Sequence, residues 1–200
     1  RKTNENDKED DMNVITLVAP PTKSKMPMFE ASGPVMAIHS TQQFLHLLET
    51  APKDGLVVIK YHAKFCTVCA RVIIRFKKMA HTLNNEENPV PIIFAGVELT
   101  ENAKIFSTLG IKKFPFLQIY RNTECIASFG TGPAHNFKRA ACGTIKDRLA
   151  TTDAEWEKIR SDLSEEIANG QKKLRLLRLD IEVEEEFSDA DVNISKTFPP

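Results

Sequence analysis

Apolar and polar positions alternate in blocks through the middle of the chain, and the blocks predict strands and helices in turn. Short apolar runs rich in β-branched residues indicate buried strands, whereas apolar residues three and four apart indicate one face of a helix. The runs predict strands at 35–38, 56–61, 91–99, 116–120 and 125–129. The spacings predict helices at 44–48, 66–83, 102–109 and 137–149. Alternating strands and helices are typical of an α/β domain built on one sheet.

Local signals at the ends of these elements support the assignment. Ser40 to Gln43 has N-cap chemistry before the first helix, and Gly110 predicts the end of the third. Residues 121–124 form a turn between the last two strands, which predicts a hairpin. In the helix at 66–83, Ile74 lies off the main apolar stripe, so we expect that helix to be packed on more than one side.

A second helical pattern follows the domain. Thr152 and Asp153 could cap it, and its apolar positions are mostly three or four apart, with an interruption at Gly170. They are Trp156, Ile159, Leu163, Ile167, Leu174 and Leu177. The stripe fits a helix folded back on its own domain, and it fits equally a helix docked on another protein. Trp156 is the only tryptophan, and tryptophan is a favoured interface anchor.

The two ends of the chain are polar. Residues 1–34 are predicted to be an extended N-terminal tail, in which the apolar patch 14–18 either packs on its own domain or docks as a strand on a partner. Residues 182–200 are predicted to be an acidic tail. The predicted organisation is therefore a tail at 1–34, a domain at 35–150, an amphipathic helical extension at 151–181 and an acidic tail at 182–200.

Composition narrows the classes of partner. The 200 residues carry a net charge of zero and a pI near 7.1, which argues against general affinity for nucleic acid or anionic membranes. Since no apolar run reaches about 18 residues, we expect no transmembrane segment. No signal peptide is visible, and the chain begins with Arg1 rather than Met, so either a targeting segment was removed or the chain was trimmed.

The candidate chemistry is at Cys66-Thr67-Val68-Cys69, shortly after a predicted strand. A helix that starts at Cys66 places that sulfur at a helix N-terminus, where free N–H groups and the helix dipole favour thiolate. Cys69 is about one turn away and could attack a mixed disulfide formed by Cys66. The same spacing also serves zinc, but Cys125 and Cys142 stand alone, so we expect no metal. Neither a G-x-G-x-x-G motif nor a P-loop is present, and we expect no bound cofactor.

Several segments around this motif make residues 35–149 resemble thioredoxin. They are 57–71, 91–98, 105–111, Phe114-Pro115 and Phe129-Gly130. The resemblance implies the thioredoxin fold, a central mixed β-sheet flanked by helices. It implies that Cys66 is the nucleophile, Cys69 the resolving thiol and Pro115 a cis proline beside the disulfide. It also implies a client-docking surface at Phe65, Thr67, Val68, Phe114 and Pro115.

Some positions depart from the thioredoxin pattern. Lys60 replaces a buried aspartate thought to act, through water, as the base for the second thiol. Lys60 could lose its proton on burial and act as a base, could lower thiol pKa as a cation, or could point to solvent. Phe65 replaces a tryptophan, Thr67-Val68 replaces Gly-Pro, and Phe114 replaces a smaller residue. Ile74 aligns with a helix-kinking proline, so we expect a straight helix.

Three further residues receive simpler interpretations. We expect His62 to be a surface or loop histidine, although it could approach the site. We expect Cys125 and Cys142 to be small buried fillers rather than regulatory thiols.

Two functions follow from these observations. The first is a thiol–disulfide oxidoreductase that reduces or exchanges disulfides of a client protein and receives electrons from a reductase. The second is a structural or assembly subunit of a larger complex, for example a plastid photosynthetic one, docked through its N-terminal tail and the Trp156 helix. Because the departures are similar to those of plastid thioredoxin-like proteins, we expect a plastid location, in the chloroplast stroma or at the thylakoid surface, and otherwise the cytoplasm.

Overall fold

The computed structural model describes residues 33–132, 136–149 and 152–194, with side chains described as far as Glu184. The strands in these residues are β1 Met36–Ile38, β2 Leu56–His62, β3 Ile92–Glu98, β4 Phe116–Arg121 and β5 Glu124–Gly130. The helices are α1 Thr41–Thr50, α2 Thr67–Asn85, α3 Ala103–Leu109, α4 Phe137–Asp147, α5 Asp153–Asp162 and α6 Ser164–Ile194. Each strand and helix predicted within the domain is present, with ends shifted by a few residues.

The strands form one mixed sheet in the order β1-β3-β2-β4-β5. Strands β1, β3 and β2 are parallel, whereas β4 and β5 run antiparallel to their neighbours. The first six residues of β2 are buried, as expected for a central strand covered on both faces. Asn122 and Thr123 take positive φ angles of 48° and 66° in the tight turn of the predicted hairpin.

Side chains along β2 point alternately to two layers of helices. Val57, Ile59 and Tyr61 lie in the core that includes α1 and α3. Leu56 and Val58 lie in the core that includes α2 and α4. Lys60 occupies an alternate position of β2 with Leu56 and Val58, so its Cβ atom points to the same face of the sheet, the face covered by α2.

The capping signals predicted at Ser40, Gly110 and Thr152 are confirmed. The Oγ atom of Ser40 accepts a hydrogen bond from the backbone N–H of Gln43 at 3.1 Å, as an N-cap should. Gly110 ends α3 in the left-handed conformation with φ +72°, which a residue with a Cβ atom adopts only under strain. Thr152 and Glu155 form a reciprocal capping box at the start of α5.

The C-terminal extension folds back on its own domain. Ile167, Leu174 and Leu177 are all buried, the first in the core beside α2 and the other two in the core beside α1 and α3. The extension breaks at Leu163, between α5 and α6, and not at Gly170 as predicted. Gly170 lies within α6, where an added Cβ atom would be 3.4 Å from Cβ of Cys125, so the glycine allows α6 to approach β5 closely.

Polar contacts fix this packing. Gln171 Nε2 donates to the carbonyl oxygen of Thr123 at 3.0 Å, and Lys173 Nζ donates to that of Leu109 at 3.0 Å. The guanidinium of Arg121 lies 4.4 Å from the centre of the Trp156 ring. The tryptophan that the sequence offered as an interface anchor therefore binds within its own chain.

Other expectations are corrected. Ile74 is 59% exposed, so α2 is not packed on a second side there, and that prediction is wrong. Helix α2 is continuous from Thr67 to Asn85.

Helix α6 continues to Ile194, so residues 182–194 of the predicted acidic tail are helical. The predicted N-terminal tail, apart from residues 33 and 34, lies outside the described residues. Among the described helices, none has both the length and the hydropathy to cross a bilayer.

Candidate active site

The two cysteines of the C-x-x-C motif meet where β2 leads into α2. Cys66 is the N-cap residue of α2 and forms a disulfide with Cys69, with their Cα atoms 5.2 Å apart. The Sγ atom of Cys66 accepts a hydrogen bond from the backbone N–H of Cys69 at 3.1 Å. A thiolate at this position would receive the same N–H, because the first amides of a helix have no partner within it.

The two sulfur-bearing residues differ in access. Cys66 is half-buried, whereas Cys69 is 3% exposed and belongs to the buried stripe of α2 with Val72 and Phe76. A protein in solution can therefore approach Cys66 and is kept from Cys69.

An apolar rim adjoins the motif. Phe65 is 73% exposed and Val68 is 38% exposed. The Phe114–Pro115 peptide bond is cis, and Pro115 is buried. The Phe114 ring lies edge-on to Phe65, with ring centres 6.4 Å apart. Through this contact the loop before β4 meets the loop before α2, which brings together residues about 50 apart in sequence.

Lys60 lies behind this rim, inside the domain. It is 1% exposed, and its Nζ atom has no hydrogen-bond partner within the described residues. The amine is 5.6 Å from the centre of the Phe76 ring, on the α2 stripe that carries Cys69. Burial, with a smaller effect of the Lys77 charge, lowers the pKa of Lys60 to about 8. The alternative in which Lys60 points to solvent is therefore wrong.

A thioredoxin family model matches residues 35–141, which is more than half of the chain. The chain belongs to the thioredoxin family. The sheet and the helices on its two faces form the thioredoxin fold, to which α5 and α6 are added. This confirms the family and the fold that the sequence indicates.

Curated relatives match about half of the chain. The chain is 31% identical over 97 residues to thioredoxin-like 2-2, chloroplastic, from Arabidopsis thaliana, covering 48% of this chain and 38% of that protein. It is 27% identical over 95 residues to a protein disulfide-isomerase from Ricinus communis, covering 46% of this chain and 18% of that protein. The chain thus spans less than two fifths of the length of either relative.

Solved thioredoxin structures are also similar to part of the chain. Thioredoxin from Malassezia sympodialis is 24% identical with a TM-score of 0.46, covering 58% of this chain and 95% of that one. Thioredoxin from Trypanosoma brucei brucei is 22% identical with a TM-score of 0.47, covering 61% of this chain and all of that one.

His62 does not lie on the surface or in a loop of the thioredoxin domain, so that prediction is wrong. It is the last residue of β2 and is half-buried, because the strand continues one residue beyond the predicted end. Its Nδ1 atom is buried without a partner in the described part of the chain. Burial and the Lys60 charge lower the pKa of His62, against a smaller opposing effect of Glu98.

Glu98 is a site-supporting residue that the sequence analysis missed. Its buried carboxylate accepts the backbone N–H of Lys64 at 3.1 Å and that of Thr100 at 2.9 Å. Lys64 lies in the loop that leads to Cys66, so Glu98 ties this loop to the end of β3. An acidic residue at the end of a buried strand was the available signal, since such a carboxylate needs partners.

The other two cysteines of the thioredoxin domain are poorly suited to redox chemistry. Burial raises the pKa of the Cys125 thiol to about 12 and also raises the pKa of Cys142, which is half-buried. The Cys125 sulfur is therefore overwhelmingly protonated at neutral pH, and the raised pKa of Cys142 disfavours its thiolate. The described residues contain no cluster of three or more His, Cys, Asp or Glu side chains that could hold a metal ion.

Proposed function

We propose that this thioredoxin-family protein is a thiol–disulfide oxidoreductase that reduces or exchanges disulfides of client proteins through Cys66 and Cys69. The observation that carries the proposal is the disulfide at the N-terminus of α2, with one accessible and one buried cysteine. Two relatives with protein disulfide-isomerase or thioredoxin-like names support the same class of chemistry.

The proposed reaction uses the unequal access of the two sulfurs. In the reduced protein the Cys66 thiolate attacks one sulfur of a client disulfide, and the other client sulfur leaves as a thiolate and takes a proton. The Cys69 thiolate then attacks Sγ of Cys66, and the second client sulfur leaves. Two electrons pass to the client and a Cys66–Cys69 disulfide remains. A reductase partner must return two electrons before the next cycle.

The apolar rim would bind the client. Phe65, Thr67 and Val68 are exposed, and Phe114 contacts Phe65. We assign these residues, with the cis Pro115, to an extended client segment that places its disulfide against Cys66. The two phenylalanine rings favour clients with an apolar side chain next to the disulfide.

Lys60 would tune the dithiol. Its amine is buried without an acceptor on the α2 side of β2, so a thiolate formed at the start of α2 would offer the protonated amine a charge of opposite sign. We therefore assign to the Lys60 cation the role of lowering the pKa of the reduced cysteines. Above pH 8, we assign to the neutral amine the role of accepting a proton.

The test compares single cysteine variants in a disulfide-reduction assay with insulin as the client and dithiothreitol as the electron donor. Cys66→Ser should abolish catalysis. Cys69→Ser should accumulate a mixed disulfide between Cys66 and a client, visible by non-reducing electrophoresis and identified by mass spectrometry. Cys142→Ser is the matched control and should keep full activity. Equal rates for the Cys66→Ser variant and the unaltered protein would overturn the proposal.

The cellular site is proposed to be the plastid. Support comes from the relative named as chloroplastic. Imaging of the complete gene product fused to a fluorescent protein tests this assignment, and fluorescence confined to the cytoplasm would contradict it.

The alternative function, an assembly subunit, was expected to dock through the N-terminal tail and the Trp156 helix. The indole of Trp156 packs against Arg121 of its own domain.

A further inference from the structure

Helix α6 carries apolar side chains on two opposite faces. Leu174 and Leu177 are buried against the domain. Leu176, Leu179 and Val183 are 47%, 55% and 49% exposed. At about 100° per residue, Leu179 lies roughly 160° around the helix from Leu177. We call Leu176, Leu179 and Val183 the outer stripe.

The outer stripe is unusual for a helix on the surface. The solvent-facing side of such a helix is normally polar, and aligned exposed apolar residues mark a site of interaction. The stripe residues are three and four apart, so they form one continuous line. The other large apolar side chains described as exposed are Phe65, Val68 and Ile74, which lie in or beside α2.

The charged residues along the outer stripe are basic at its N-terminal end and acidic at its C-terminal end. Lys172 and Arg175 are exposed toward the N-terminal end of the stripe, and Glu182 is exposed toward its C-terminal end. Two such faces packed in parallel would bring like charges together. Packed antiparallel, they would bring the basic end of each against the acidic end of the other.

We propose that the outer stripe pairs two copies of this chain through an antiparallel contact between their α6 helices. The two-fold axis passes near Leu179, which meets the partner's Leu179. Around that axis Leu176 meets the partner's Val183, and Arg175 meets the partner's Glu182. A second copy of the chain fits the outer stripe by charge. In the antiparallel orientation the basic end of each stripe lies against the acidic end of the other.

The expected dimer is weak. Three apolar residues per copy bury less than the roughly 1,200–2,000 Å² typical of stable complexes. We therefore expect monomer and dimer to exchange at protein concentrations of about 1–100 µM.

The first experiment is sedimentation velocity of the full chain across this concentration range. The unaltered protein should shift from monomer to dimer as its concentration rises. Leu179→Glu places two carboxylates at the axis and should leave only monomer. Ile74→Glu is the matched control, since it puts the same charge at another exposed apolar position, and it should still form dimers. Leu179 is exposed, so an unchanged melting temperature of the Leu179→Glu chain would show that it folds.

The second experiment tests orientation by exchanging charges. Arg175→Glu should weaken the dimer by about tenfold or more, because it opposes the partner's Glu182 twice in each dimer. Adding Glu182→Arg to the same chain should restore dimerisation to within about threefold. No parallel or non-specific contact predicts this rescue.

Three results would overturn the proposal. The unaltered chain could stay monomeric throughout the range, as it would if residues 1–32 covered the stripe in the same molecule. Leu179→Glu could leave a dimer intact, which would place the contact elsewhere. The double charge exchange could fail to restore what Arg175→Glu removed.

Discussion

At the scale of single residues, Lys60 is the feature that most separates this domain from an ordinary apolar core. The amine is buried and its Nζ atom has no hydrogen-bond partner in the described residues. The Phe76 ring at 5.6 Å offers its face but no lone pair. Removing a charge from water without an acceptor disfavours the charged form, so folding stability is reduced as long as Lys60 must be protonated.

Replacing Lys60 by methionine should stabilise the oxidised protein. The folded-state pKa near 8 lies below the usual 10.5, so between these values the unfolded chain binds more protons and stability rises with pH. Below pH 8 Lys60 is protonated in both the folded and the unfolded chain, so the full cost of burying its charge is present. At pH 7 we expect Lys60→Met to gain up to about 3 kcal/mol, falling toward zero as the pH approaches 10.5. Urea unfolding at several pH values measures this.

Lys77→Met serves as the control for that experiment. Lys77 is exposed on α2 and contributes only a secondary part of the Lys60 shift, so its removal should change stability by less than about 0.5 kcal/mol. A Lys60→Met protein less stable than the unaltered one at pH 7 would mean that the amine gains more from its surroundings than it loses by burial.

The sequence predicted residues whose role depends on local chemistry and missed those placed by the fold. Cys66 and Cys69 form a pair because three residues make one helical turn. Strand parity directs Lys60 toward α2 but does not determine whether a long side chain stays inside or reaches water. Glu98 supports the site only because β3 lies beside β2, a pairing that a single sequence does not specify.

At the scale of elements, α6 shows why a glycine alone does not mark the end of a helix. A glycine within a helical pattern is often taken as the end of the helix, since glycine lowers helix stability by about 1 kcal/mol relative to alanine. Here the missing side chain lets α6 lie against Cys125 of β5. The packing gain outweighs the propensity loss, and the chain breaks earlier, at Leu163.

Substituting Gly170 by leucine should therefore destabilise the protein. A Cβ atom alone would lie 3.4 Å from Cβ of Cys125, and a larger side chain must push α6 away, at about 1–3 kcal/mol. The matched change is Gly143→Leu in α4, where an added Cβ meets nothing within 4 Å. Gly143→Leu should be neutral or stabilise by up to about 1 kcal/mol. Chemical denaturation compares the two, and equal effects would contradict the close packing of α6 on β5.

At the scale of the whole molecule, the extension and the thioredoxin domain share their cores. Leu174 and Leu177 lie in the core that contains Phe44 of α1 and Phe106 of α3. Trp156 on α5 lies under Arg121, the last residue of β4. Separate unfolding of α5 and α6 would expose side chains of both cores, so we expect one cooperative unit.

Unfolding followed by Trp156 fluorescence and by far-ultraviolet circular dichroism should give coincident transitions. Leu177→Ala should shift both together by about 2–5 kcal/mol, because the side chain is fully buried. Leu179→Ala, two residues away on the exposed face, should shift neither by more than about 0.5 kcal/mol. A fluorescence change that precedes the loss of helix signal would show that the extension opens independently.

The packing of α6 on β5 also covers one of the two cysteines outside the C-x-x-C motif. Cys125 lies under Gly170, and a thiol with a pKa near 12 reacts very slowly with peroxide. Under the proposed function, oxidants would react instead at the Cys66–Cys69 pair, where a sulfenic acid on one sulfur would be resolved by the other as a reversible disulfide. Under the proposed function, α6 would thus keep the Cys125 sulfur out of the two-electron exchange at Cys66 and Cys69.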